Sequence, residues 1–381
     1  MTRMKYRHFF YYLIFVATLL IIPGCNKKKE NNSEMMTEHY SMEDFKLVPK
    51  IDTHAHINTD EKTMIEEARA NNFRLMVMAV DVVPEYPPMP EQLRVKIKHF
   101  QEDPDVFTFS TAFTLEGWDD PEWSDKVVAQ LQKDFDNGAL GVKVWKNIGM
   151  GEKDKDGNLI MLDDPKFDAV FQFIKARNKV LLSHAGEPKN CWLPLEEMTV
   201  KNDRDYFGQH PEYHMYLHPE MPSYEKQMEA RDNMLRRNPG LTFIGTHLAS
   251  LEWSVDEVAK FLDNFPNASV DLAERLSHVQ YQSQINYERV RDFFINYQDG
   301  ILYGTDFQQL EDSDPEELRK TMNERWLLDW RYLNTDDVME VPELDNPIKG
   351  LALPKLVVDK IYRLNAERIF PNAWKTLDTE I

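Results

Sequence analysis

Lys50-Ile51-Asp52-Thr53-His54-Ala55-His56-Ile57 is a short apolar run that carries two histidines near its end. Side chains alternate along a strand, so residues two apart face the same side and His54 and His56 project together. The same design recurs downstream. Short apolar segments at Arg74–Asp81, Phe107–Phe113, Gly141–Trp145, Val180–His184, Leu241–His247, Ser269–Ala273 and Ile301–Asp306 read as further strands. Helix-like stretches such as Pro165–Asn178, Tyr224–Arg237, Val255–Asn264 and Tyr287–Asn296 lie between them. Strands alternating with amphipathic helices indicate βα units and a parallel sheet. Eight such strands over about 260 residues predict an α/β fold, a (β/α)8 TIM barrel with long βα loops. A doubly wound open sheet is the other arrangement, but its glycine-rich phosphate turn is missing. Glu316–Trp330 and Pro354–Phe370 read as extra C-terminal helices that close the bottom or side of the barrel, joined through Pro342 and Pro347.

The 381 residues suffice for one large core, and 42% hydrophobic with 29% charged residues is a globular composition. A net charge of −20, with no basic run past the first 30 residues that could form a face, excludes nucleic acid as a partner. The two cysteines, Cys25 and Cys191, are far apart, which rules out a disulfide framework and a cysteine-rich metal site. Cys191 reads as a packed or lid-borne thiol rather than a nucleophile.

Residues 1–25 are a targeting segment. Arg3, Lys5 and Arg7 precede an apolar stretch from Phe9 to Ile22, and Ile22-Pro23-Gly24-Cys25 follows as a cleavage site. The run is short for a membrane-spanning helix; an uncleaved anchor is the other reading. The segment resembles a bacterial lipoprotein signal, which implies a lipid on Cys25 as the only membrane attachment. It also implies a place in the cell envelope, facing the periplasm or the exterior. Residues 26–44 read as a flexible polar tether, and residues 45–381 as the barrel.

Three further strands end in metal-capable side chains: the fifth in His184, the sixth in His247 and the eighth in Asp306. Barrel enzymes build their sites at the carboxyl ends of the strands. Burying these groups together with His54 and His56 and without a partner would cost several kcal/mol, so a bound cation is the economical explanation. Two long connections, Lys146–Asp164 and Glu187–Ser223, follow strand ends and are expected to form pocket walls or lids.

In this order the motifs resemble the amidohydrolase superfamily. The likeness is to the single-metal branch that includes lactonases and the aminocarboxymuconate-semialdehyde decarboxylase type. It runs from about Lys50 to Phe370 and takes in the His-x-His pair, His184, His247, Gly304-Thr305-Asp306 and Asn365-Ala366-Glu367-Arg368-Ile369-Phe370. It implies that His54, His56, His184 and Asp306 hold one divalent metal ion. Zinc is the default, and manganese, iron or nickel would also suit the ligands. It implies too that His247 orients or deprotonates the attacking water, or polarises a substrate carbonyl, and that Asp306 carries protons. Some superfamily members have a bridging carboxylated lysine on the fourth strand, where Lys143 stands. Lys143 is therefore a second-metal, substrate-carboxylate or buried-acid contact.

Arg275, after the seventh strand, is a candidate bidentate contact for an acidic substrate or else a salt-bridge partner. Glu152, Asp154, Asp156 and Gly157 resemble the opening of a calcium loop, but a polar turn accounts for them more simply. His210, His214 and His218 are expected to be exposed imidazoles in a loop. The reaction expected is hydrolysis of an ester, lactone or amide bond in a small polar molecule. The alternatives are a non-oxidative decarboxylase and a non-catalytic binding lipoprotein. The sequence sets no oligomeric state.

Overall fold

The computed structural model describes residues 38–82 and 86–375. Cys25, the targeting segment and tether residues 26–37 lie outside the described residues. Nine strands form one parallel sheet: β1 (Lys50–Ile57), β2 (Phe73–Met78), β3 (Phe107–Ala112), β4 (Gly141–Val144), β5 (Val180–Ser183), β6 (Thr242–Gly245), β7 (Ala268–Asp271), β8 (Ile301–Leu302) and β9 (Phe307–Gln309). Their order is β8-β7-β6-β5-β4-β3-β2-β1-β9. β8 pairs with β7 and β9 with β1, so the two are pieces of a single barrel strand. In the gap between them, Thr53 N donates to Tyr303 O and Asp306 N to His54 O, which closes the circle. The fold is an α/β TIM barrel.

Every strand after the first ends one to four residues earlier than the run read for it, and for the eighth and sixth the local reason is plain. The eighth breaks after Leu302 because it passes very close to β1: a Cβ on Gly304 would lie 2.9 Å from the His54 Cβ. The Asp52 carboxylate takes the hydroxyl and backbone N–H of Thr305 at 2.5 and 3.1 Å, and Asp306 has a φ of 69°. β6 stops at Gly245 because His247, Leu248, Ala249 and Ser250 all adopt left-handed backbone, with φ between 56° and 58°. Such backbone costs an L-residue roughly 1–2 kcal/mol, and it persists only where the surroundings over-determine it. Here His247 N donates to Asp271 at 2.7 Å, Ser250 Oγ donates to Gly186 O at 2.6 Å, and Leu248 and Ala249 are buried.

The outer helices begin where capping residues place them. Ser223, Ser254 and Asn286 accept from the first-turn N–H groups of helices Tyr224–Arg237, Val255–Asn264 and Tyr287–Asn296. The helix read over Pro165–Asn178 is a short 3-10 turn at Pro165–Phe167 that continues into Asp168–Ala176.

The amino-terminal end of the barrel is sealed by aromatic packing. Helix Pro315–Asn334 lays Trp326 against Phe73 at 4.2 Å and Trp330 against Phe45 at 5.8 Å. A two-stranded ribbon, β10 (Val338–Met339) with β11 (Ile348–Lys349), occupies the joint beyond it. The last helical stretch runs Lys355–Asp359, then a π turn Lys360–Leu364, then Asn365–Ile369. Asn365 anchors it by donating to Ile301 O and Gln298 O. No helix among the described residues is long and apolar enough to cross a membrane.

The tether ends sooner than its polar composition suggests. Residues 38–44, expected to be flexible, pack on this sealed end. Tyr40 bonds Asp359 and lies 5.5 Å from Trp330, and Ser41 caps a 3-10 turn at Met42–Asp44. One aromatic contact, a tyrosine hydrogen bond and a capping box outweigh the polarity of the stretch.

Candidate metal centre

Strand geometry brings the chemistry to the carboxyl-terminal mouth of the barrel. His54 and His56 extend from β1, and their Nε2 atoms lie 3.1 and 2.9 Å from the same oxygen of Asp306. The donor atoms of these three residues all lie within 4.8 Å of one another. His247 follows β6, with Nε2 3.9 Å from the other Asp306 oxygen. Its ring lies 4.8 Å from that of His54 and 4.2 Å from that of His184. The His184 Nε2 is buried and has no hydrogen-bond partner among the described residues. His184 therefore shares the pocket, but it stands outside the tightest donor triple.

The other ring nitrogens are engaged away from the centre. His54 Nδ1 meets Asp271 at 2.9 Å, His56 Nδ1 meets Met78 O at 3.2 Å, and His247 Nδ1 meets Ala273 O at 3.0 Å. A carboxylate or carbonyl on Nδ1 makes that nitrogen the protonated one and leaves Nε2 as the ligand. Lys143 on β4 reaches the same place, with Nζ 3.3 Å from His54 Nε2 and 3.1 Å from Thr246 Oγ1. Its hydrogen-bond partners are an imidazole and a hydroxyl, and the Asp271 and Asp306 carboxylates favour its charge through space.

Burial dominates the electrostatics. It holds His184 and His247 well below the ordinary imidazole range and lowers His56 to about 4. All three are neutral at pH 7 and fit to act as ligands. Burial opposes charge on His54 as well, and Lys143 adds to that, yet the Asp306 and Asp271 carboxylates outweigh both and raise it. Burial works against Asp306 too, but the surrounding imidazoles hold it well below the usual carboxylate range. Two carboxylates converging on the His54 ring mark a spot that calls for positive charge. Converging imidazole lone pairs, an ionised aspartate and an orphaned His184 Nε2 are a donor set that fits a divalent cation.

The pocket around this cluster has a volume of about 700 Å³. The Glu187–Ser223 connection forms one of its walls, as the sequence indicates, and is more ordered than a loop, whereas Lys146–Asp164, the other expected wall, lines it through Lys146 alone among the described residues. The Glu187–Ser223 connection carries helix Lys201–Gln209, from which Asn202, Asp203, Tyr206 and Phe207 line the cavity. His214 does not follow the expectation of exposure: it is buried and bonds Leu193 O at 2.7 Å, locking the turn beneath the helix. His210 and His218 do reach solvent and pair with Glu212 and Glu220. Cys191 is packed at 0% exposure beside Tyr213 O, and burial raises its thiol pKa, so it is no nucleophile. Asp154 closes its own polar turn by accepting from the N–H groups of Asp156 and Asn158, as the turn reading expects.

Arg275 lines the pocket, and no carboxylate forms an ion pair with it among the described residues. Its Nη1 donates to Glu274 O, while its Nε is buried without a partner. Lys146, beside it in the wall, is paired with Glu187.

Asp271, Asp52 and Glu274 are absent from the sequence reading of the site. Asp271 ends an apolar strand just as Asp306 does, and that placement was the available signal. Asp52 lies on the same strand as the histidine pair, at a position whose partner is 253 residues away.

A family model described as Amidohydrolase matches residues 51–371. The chain belongs to the amidohydrolase family. None of the curated proteins matches it. Among solved structures it is similar to 2,6-dihydroxybenzoate decarboxylase from Rhizobium, with 15% identity and a TM-score of 0.50 over 84% of this chain and 98% of that one. It is also similar to an uncharacterised TIM-barrel protein from Bordetella bronchiseptica, with 15% identity and a TM-score of 0.48 over 86% and 99%. At such identities the likeness bears on the fold alone. Family membership and the His/Asp cluster agree on an enzyme of this superfamily with a site compatible with a metal.

Proposed function

We propose that the chain is a metal-dependent hydrolase that cleaves an ester, lactone or amide bond in a small, negatively charged molecule. The observation that carries this reading is the convergence of His54 and His56 Nε2 on one Asp306 oxygen, with each Nδ1 engaged elsewhere. His54, His56, Asp306 and the unpartnered His184 would hold one divalent ion, zinc by default. Such an ion supplies Lewis acidity and brings the pKa of water toward neutrality.

The remaining chemistry belongs to the side chains. Asp306 is ionised, and its second oxygen faces His247, so it can take a proton from an attacking water. His247 donates through Nδ1 to Ala273 O and is neutral, which makes its Nε2 an acceptor. That tautomer favours orienting or deprotonating water over polarising a carbonyl. Arg275, which lines the pocket and has no ion pair with a carboxylate among the described residues, would take the substrate's anionic group.

The lipoprotein-like signal at Cys25 supports a place in the cell envelope, with the lipid as the only membrane contact. The test is elemental analysis of protein purified without added metal, then a panel of lactones, esters and amides that carry a carboxylate. One divalent ion per chain is expected, with turnover falling at least about 100-fold in Asp306→Asn and in His247→Ala. Turnover unchanged in both variants would overturn the enzymatic role of the cluster. Release of carbon dioxide without consumption of water would replace the hydrolase reading by a decarboxylase.

A further inference from the structure

Asp203, in the first turn of helix Lys201–Gln209, and Arg275, after β7, line the same pocket with opposite charges. A forked arginine–carboxylate contact is the usual outcome of such sharing, yet no ion pair joins the two among the described residues. Asp203 is held elsewhere. Asn190 Nδ2 donates to its Oδ2 at 2.8 Å, and His278 Nε2, on helix Leu276–Ile285, lies 3.2 Å from the same oxygen. Asn190 and His278 are themselves buried. Three separate pieces of chain therefore fix the direction of this carboxylate, and both contacts fall on one oxygen. The other, Oδ1, accepts no hydrogen bond among the described residues.

The remaining charges on the walls are accounted for differently. Lys146 and Glu187 pair with each other, and Glu274 is exposed. Of the carboxylates that act on Arg275, Asp203 acts most strongly. Burial opposes charge on Asp203, but His278, Arg275 and the Asn190 amide outweigh it and lower its pKa. It is an ion at neutral pH, 5% exposed, with one oxygen unused. A carboxylate that served only to anchor the helix would need no open oxygen and no place on the cavity wall.

We propose that Arg275 and Asp203 together read an amino-acid end of the substrate, Arg275 taking the carboxylate and Asp203 the ammonium beside it. This rests on the hydrolase reading and narrows the anionic group of that reading to the carboxylate of a zwitterion. The substrate class is then an amino acid with an ester or amide at its far end, whose carbonyl reaches the metal-capable cluster. Each ion of the wall is met by the opposite charge when such a molecule fills the pocket. A ligand without the ammonium would cover Asp203 and leave it unmatched away from water, which is costly. Selectivity arises from that cost as much as from the new contact.

The experiment compares molecules that differ only in the ammonium. Calorimetry on the metal-loaded protein measures glutamate, in both enantiomers, against glutarate, and aspartate against succinate. In at least one pair the amino acid should bind on the order of ten-fold tighter, and Asp203→Asn should bring that ratio close to unity. Equal affinity within both pairs in the unaltered protein would overturn the proposal, whatever the fate of the variant. A preference that survives in Asp203→Asn would place the ammonium against the metal rather than Asp203 and would overturn it too. Turnover is read separately, on γ-glutamyl and glutaryl p-nitroanilides. A kcat/KM ratio that favours the γ-glutamyl compound and collapses in Asp203→Asn supports the proposal. If neither anilide nor any member of the lactone, ester and amide panel is cleaved, the hydrolase reading fails, while the binding ratios still decide whether Asp203 reads an ammonium.

Discussion

Lys50 and Lys143 are both buried lysines of the barrel, one at each end. Burial lowers both ammonium groups, Lys50 to about 7 and Lys143 to about 8. Their surroundings differ. Lys50 donates to Phe45 O and Val48 O and lies over the rings of Phe45, Phe73 and Trp330. Each of its neighbours belongs to the aromatic seal. Lys143 has a hydroxyl and the edge of a histidine that is itself needed elsewhere, with the Asp271 and Asp306 carboxylates acting on it from farther off. Perturbed acidity alone therefore does not mark the functional end of this molecule. What marks it is the company of groups whose lone pairs are left unspent.

Four measurements bear on that contrast. Asp271→Asn replaces the carboxylate that holds both His54 Nδ1 and the backbone of His247. Metal affinity should fall about 10- to 100-fold with the fold retained, read by competition with a chelator. Lys143→Met should lower turnover on the order of ten-fold while the metal count stays at one per chain. A drop from two ions to one would instead make Lys143 a bridging ligand.

Lys50→Met should do the reverse. It leaves two carbonyls unsatisfied at a cost of about 1–3 kcal/mol and lowers Tm without changing metal content. Its pH dependence is a separate effect of the same burial. Between pH 7 and pH 10 the unfolded lysine holds a proton that the folded one has lost, so the native protein gains stability as pH rises and the gain levels off toward low pH. The gap between native protein and variant in denaturant unfolding should widen over that window. A constant gap would mean that Lys50 stays charged in its aromatic cage.

The barrel and most of its centre are legible in the sequence because both depend on local pattern. Apolar runs set the strands, and a polar residue at the end of such a run sits at the mouth whatever the distant contacts are. Helices Tyr224–Arg237, Val255–Asn264 and Tyr287–Asn296 were readable for the same reason, each with its cap one residue ahead. What escaped depends on pairs far apart in the chain. The break in the eighth strand needs the approach of Gly304 to His54, and the left-handed turn at His247 needs Asp271. His214 looks like a solvent-facing imidazole until Leu193 O is placed beside it.

The packing of residues 38–48 also fixes a direction. They lie against the starts of β1 and β2, where Phe45 meets Phe73 and Leu47 O accepts from Asn72, and the metal-capable cluster opens at the opposite pole. Positions 26–37 could span at most about 40 Å when drawn out. Were Cys25 moored in a bilayer, the link to the lipid would leave from the sealed base, so the mooring would not cross the mouth through which substrate must pass.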